Sequence, residues 1–89
     1  MNKDELDRFN EADKKIHPVE TQWHFPIMTA AGFIPETTEG VGFVRSYVYT
    51  HPDGRKIRAT TGVNGDYWND MTVNKGGYWC DLKAYVKRV

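Results

Sequence analysis

Val44-Arg45-Ser46-Tyr47-Val48-Tyr49-Thr50-His51-Pro52-Asp53-Gly54-Arg55-Lys56-Ile57-Arg58-Ala59-Thr60-Thr61 reads as two strands folded back on a tight turn. The first arm, entered from Phe43, is dense in β-branched and aromatic residues, which suit a pleated, half-buried surface. Pro52 presets φ at the first central turn position, Asp53 accepts the next conformation, and Gly54 can adopt the left-handed one that a three-residue loop requires. This geometry sets His51 against Arg55, Thr50 against Lys56, Tyr49 against Ile57 and Val48 against Arg58. Side chains alternate across a strand, so Phe43, Tyr47, Tyr49, Ile57 and Ala59 share a core face. Ser46, Val48, Thr50, Lys56, Arg58 and Thr60 share a polar face that meets water or a partner.

Outward from the hairpin, helical and extended segments alternate with turn signals. Asn2 and Glu5 form a capping-box-like pair, and Leu6, Phe9, Ala12 and Ile16 make a narrow apolar stripe on a charged helix within residues 1–17. That stripe either lays the helix on the sheet or leaves it as a separate arm. His17-Pro18 ends it. Trp23, Ile27, Ala30 and Ala31 are spaced for a second helix closed by Gly32, with Pro26 kinking it or opening a fresh turn. Phe33 to Thr38 predicts a strand that Pro35 confines to a sheet edge, with a reversal at Glu39-Gly40. Tyr78 to Lys87 predicts a final helix whose face carries Trp79, Leu82 and Val86. The expected fold is α+β: a single domain over residues 1–89, with a small antiparallel sheet of about three strands around the 44–61 hairpin and helices on one face.

With 89 residues, the chain has room for one small core, and aromatics at 13% supply large buried areas from few side chains. Residues 1–40 carry eight acids and four bases, and residues 41–89 carry four acids and eight bases. The halves are therefore −4 and +4, an imbalance that mutual attraction within one fold accounts for, although a basic half also attracts phosphates. Cys80 is the only cysteine, which excludes an internal disulfide and multi-cysteine zinc sites. Without an apolar run of membrane-spanning length or a signal-like start, a cytoplasmic protein with no membrane partner is expected.

Candidate chemistry is sparse. His17, His24 and His51 have no metal-ligand spacing, so neither a metal nor a cofactor is expected. Gly40 and Gly42 lack the Lys-Ser/Thr of a phosphate-binding loop. Cys80 beside Trp79 reads as a small buried hydrophobe, and Ser46 lacks nucleophile-elbow glycines. Asp66 and Asp70 would lie one turn apart on a helix and could there pair as general acid and base or hold a divalent ion, but without a calcium-loop pattern they read as loop and capping residues. More informative is an echo: Gly65-Asp66-Tyr67-Trp68-Asn69-Asp70 and Gly76-Gly77-Tyr78-Trp79-Cys80-Asp81 match at Gly, Tyr, Trp and Asp, eleven residues apart.

A helix ending at Ala31-Gly32-Phe33, three strands with Tyr49-Thr50-His51-Pro52-Asp53-Gly54-Arg55 in the central turn, and a basic final helix give the order αβββα. Over residues 23–89 this resembles the double-stranded-RNA-binding-type fold of HicA toxins, a family that cleaves messenger RNA. The family's essential histidine lies in a Gly-Ser-His at the turn into the second strand. Glu39-Gly40-Val41-Gly42 has none at that point, so ribonuclease activity does not carry over.

The residues point to a non-enzymatic binding module, a small accessory regulator or inhibitor of a protein partner, with Tyr67, Trp68, Tyr78 and Trp79 supplying contact area. The alternative is a nucleic-acid-binding domain using Arg45, Lys56, Arg58, Lys83, Lys87 and Arg88, with the aromatics as stacking platforms.

Overall fold

The computed structural model describes residues 3–5, 8, 18–41, 44–62 and 65–87. Residues 3–5 and 8 are helical. Most of the charged helix expected within 1–17, and with it whether that helix packs on the sheet, lies outside the described residues.

A 3-10 turn, Val19–Thr21, leads into helix α1, His24–Ala30. Pro26 is the third residue of α1, within the first turn, where a missing N–H removes a donor that has no intrahelical acceptor anyway. The helix ends as its sequence implies. Phe33 N–H donates to the Met28 carbonyl at 2.9 Å and Gly32 N–H to that of Thr29 at 3.1 Å, with Gly32 at φ +91°. This paired closure leaves Phe33 pointing into the core.

Five strands follow: β1 Ile34–Val41, β2 Val44–Thr50, β3 Lys56–Thr61, β4 Tyr67–Asp70 and β5 Lys75–Tyr78. They form one antiparallel sheet in sequence order, a meander with β1 and β5 at its edges. Helix α2, Trp79–Lys87, closes the chain's described part. The α+β class holds, but the expectation of about three strands is corrected to five. The two missed strands have four residues each, rich in Asn, Asp and Gly, which are poor formers of isolated strands. They form because β3 offers a paired edge and because Asn74, at φ 53°, turns β4 back onto itself as β5. The Tyr-Trp echo is thus in large part a hairpin. A second correction concerns β1, which runs through Glu39-Gly40 to pair Val41 with Val44, so Glu39-Gly40 is strand and not the reversal.

The central hairpin has the predicted register: Thr50 with Lys56, Tyr49 with Ile57 and Val48 with Arg58. His51 N–H donates to the Arg55 carbonyl, and Gly54, at φ +101°, donates to that of His51. Tyr47, Tyr49, Ile57 and Ala59 are buried with Met28, Phe33, Trp68, Leu82 and Val86, so α1 and α2 both pack on this first face. Phe43 lies outside the described residues. The second face departs from an open polar surface, because Val48 and Thr60 are buried on it. Both sit on interior strands, flanked in register by neighbours: Val48 between Thr37 and Arg58, Thr60 between Ser46 and Tyr67. Ser46 and Thr60 hydroxyls lie 3.2 Å apart, each supplying the other a hydrogen-bond partner.

Candidate functional site: an aromatic surface at the end of the sheet

Pairing in the β4–β5 hairpin separates the four aromatic residues singled out in the sequence. Tyr67 is opposite Tyr78 and Trp68 opposite Gly77. Trp68 therefore turns to the first face, where it is 3% exposed, edge-on to Tyr85 with ring centroids 4.2 Å apart. Its indole N–H donates to the Tyr78 carbonyl at 2.9 Å. A side chain at Gly77 would collide with it, since an added Cβ would stand 2.9 Å from Trp68 Cζ2. Glycine opposite tryptophan is a packing requirement here.

The other three rings stay at the surface. Tyr67 is 45% exposed and Tyr78 is 73% exposed, side by side in register on the second face. Trp79 is 55% exposed at the first position of α2, where its N–H donates to the Asp66 carbonyl at 3.2 Å. The expected helical face is narrower than predicted: Leu82 and Val86 are buried and Trp79 is not. Trp79 instead stands edge-on to Trp23 at 6.0 Å, and Trp23 is edge-on to His24 at 5.1 Å. Trp23, absent from the candidate contacts, thus supports the surface from α1's side.

The candidate nucleic-acid contacts fall on different layers. Arg45 belongs to the first face, opposite Gly40 and Thr61, whereas Lys56 and Arg58 belong to the second. Lys83 and Lys87 flank a groove of about 290 Å³ between α1 and α2, lined by Pro26, Ile27 and Val86, on the helical layer. Arg88 lies outside the described residues.

Two buried polar pairs hold the first face. His24 Nδ1 and the Tyr49 hydroxyl are 2.5 Å apart, with the His24 ring 4.8 Å from that of Tyr47. Burial pushes the imidazole pKa down to about 4, so His24 is neutral near pH 7. The Tyr49 phenol is raised, by burial first and then by Tyr47 and Glu20. His24 Nε2 and Trp23 Nε1 are buried without hydrogen-bond partners among the described residues. Farther along, Asp70 accepts from the Tyr85 hydroxyl at 2.5 Å, from Thr72 N–H at 3.0 Å and from the Thr72 hydroxyl. Burial pushes the Asp70 carboxyl up, but bonds from the Thr72 hydroxyl, Tyr85 and the Thr72 and Val73 backbone outweigh it and hold the group below the usual range. Burial, followed by the bond to Asp70 and its charge, pushes Tyr85 up to about 12.

These placements revise the reading of the lone acids and thiol. Asp70 ends a strand rather than sharing a helix with Asp66, and its carboxylate is engaged in structure. Cys80 is exposed, not buried, with Sγ 3.9 Å from Asp81 Oδ1. Among the described residues no three His, Cys, Asp or Glu side chains group together, and no helix is long and apolar enough to cross a membrane. What the arrangement can do chemically is present flat, rigid, amphipathic rings to another molecule. Comparison with known proteins finds no match: no family model, no curated protein and no solved structure is significantly similar to this chain.

Proposed function

We propose that this chain is a non-enzymatic binding module, a small accessory regulator or inhibitor, that docks on a protein partner through Tyr67, Tyr78 and Trp79. The observation carrying this reading is that Tyr67 and Tyr78 stand exposed side by side on the second face, with Trp79 exposed at the next residue, on the helical side. Tyrosine and tryptophan give large contact areas with few rotatable bonds to immobilise, which is why they concentrate at the centres of protein interfaces. Exposed singly, such rings call for no explanation; Tyr67 and Tyr78, paired in register, do. Nucleic acid is the weaker reading, because affinity for a phosphate chain grows with the number of phosphates neutralised. Lys56 and Arg58 are on the sheet's second face, while Lys83 and Lys87 are on the helical layer.

Affinity purification from the native host with the wild-type chain, Tyr78→Ala and Trp79→Ala tests the reading. Wild type should retain a protein that both variants lose, with unchanged circular dichroism and melting temperature. Retention by both variants would overturn it, as would recovery of nucleic acid whose binding falls steeply with salt.

A further inference from the structure

Arg58 lies on the same sheet face as the exposed tyrosines, opposite Val48 on β2 and Asn69 on β4. Tyr67, two residues before Asn69, is its diagonal neighbour across the β3–β4 pair, about 7 to 8 Å away and within reach of a long side chain. Arg58 is half-buried, its Nε is buried without an acceptor, and no hydrogen bond or ion pair reaches its guanidinium among the described residues. Arg55, three residues earlier in the hairpin, is the opposite case. Its Nε donates to Asp53 at 2.8 Å, its Nη1 to the Val86 carbonyl at 3.5 Å, and its guanidinium covers the Phe33 ring at 4.9 Å.

A guanidinium cannot shed its charge to relieve a poor environment, as a histidine or lysine can. The buried Nε–H without an acceptor leaves this charge poorly compensated in the free protein, and the terminal N–H groups, which are not buried, are the donors a bound acceptor can meet. Among the described residues the acids of β1 do not serve: Glu36 accepts from Thr50 at 2.8 Å, and Glu39 is opposite Ser46 and two strands from Arg58. We infer that Arg58 is the seat for an aspartate or glutamate carboxylate of the protein partner, which is gripped beside the Tyr67–Tyr78 pair. Two carboxylate oxygens match the parallel donors of the guanidinium, and a charge pair made in a partly desolvated place beside aromatic rings has the make-up of an interface hot spot. The identification of the acceptor as a protein carboxylate rests on the proposal that the aromatic surface binds a protein.

Random peptides displayed on phage and selected on the wild-type chain test the assignment with no partner protein in hand. Enriched peptides should share an acidic residue next to an apolar or aromatic one. In fluorescence anisotropy, replacing that acid by its amide should weaken binding at least about tenfold, as should Arg58→Gln, and the two changes together should add little to either alone. Arg58→Lys, which keeps the charge but loses the fork, should fall between, and melting curves of both variants should match wild type. Enrichment without an acid, acid dependence that survives Arg58→Gln, or no Arg58-dependent binder overturns the inference. Arg58-dependent binding of a thymidine oligonucleotide in place of acidic peptides overturns it too, since phosphate would then be the ligand. Tyr78→Ala separates the two proposals. Peptides that need Tyr78 but no acid leave the aromatic surface standing and Arg58 unassigned, whereas acidic peptides indifferent to Tyr78→Ala do the reverse.

Discussion

Tyr67-Trp68 and Tyr78-Trp79 are the same dipeptide, and the fold sends their tryptophans in opposite directions. In β4 the strand alternates, so Tyr67 turns outward and Trp68 inward, where Leu82, Val86 and Ala59 complete its surroundings. Tyr78 turns outward beside Tyr67 for the same reason. Continued as a strand, Trp79 would have gone in; the chain instead enters α2 at that residue, and its ring remains at the surface against Trp23. One dipeptide therefore supplies a core residue and the other a surface residue, and the cause is a change of backbone period at a single position.

The comparison can be broken by mutation. The largest effect is expected for Trp68→Ala, about 3 to 5 kcal/mol of stability in urea denaturation, because a buried ring and its N–H bond to Tyr78 are lost together. If Trp79→Ala destabilises as much, the two tryptophans are not in different classes and the division fails.

Acid should probe the buried side next. His24 has a folded-state pKa of about 4, below its ordinary 6.5. The unfolded chain thus binds more protons between those values, and stability rises with pH across that window. The contribution is complete above about pH 6.5 and is lost as pH falls toward about 4, on the order of 3 kcal/mol in all. Denaturation at a series of pH values should show this dependence in the wild type and not in His24→Gln, so the wild-type-minus-variant difference should rise across that window. A wild-type-minus-variant difference that stays flat would mean that the imidazole is not held neutral by burial.

A smaller loss, about 1 to 3 kcal/mol, is expected for Tyr85→Phe, which takes one donor from the Asp70 carboxylate while keeping the ring against Trp68. Calorimetric melting checks it, and no change would place the Asp70 charge in water. The smallest stability effects belong to the exposed rings. Tyr78→Ala should stay within about 0.5 kcal/mol, and Trp79→Ala within about 1 kcal/mol for its edge contact with Trp23. Urea titration of both sharpens the contrast with Trp68→Ala, since these are the variants in which partner binding should be lost.

Local chemistry was enough for the parts of the molecule whose signals lie within a few residues of one another. Pro52, Asp53 and Gly54 dictate their own turn, the turn dictates the register, and the register dictates that Tyr47, Tyr49, Ile57 and Ala59 face the core. Gly32 likewise announces the end of α1. Arg58 and the exposed rings could be named as candidates from residue type alone. Their grouping could not be read, nor could the separation of Lys56 and Arg58 from Lys83 and Lys87. Strands β4 and β5 have too little intrinsic preference to show themselves, because Asn69, Asp70, Gly76 and Gly77 become strand residues only when a neighbouring strand accepts their backbone bonds. The equal Tyr spacing in the echo was their one visible trace, placing Tyr67 opposite Tyr78. Pairing across the sheet then fixed which ring is buried, left Arg58 Nε without an acceptor among the described residues, and packed Trp79 on Trp23, since burial is a property of neighbours and neighbours distant in sequence are assembled only by the folded chain.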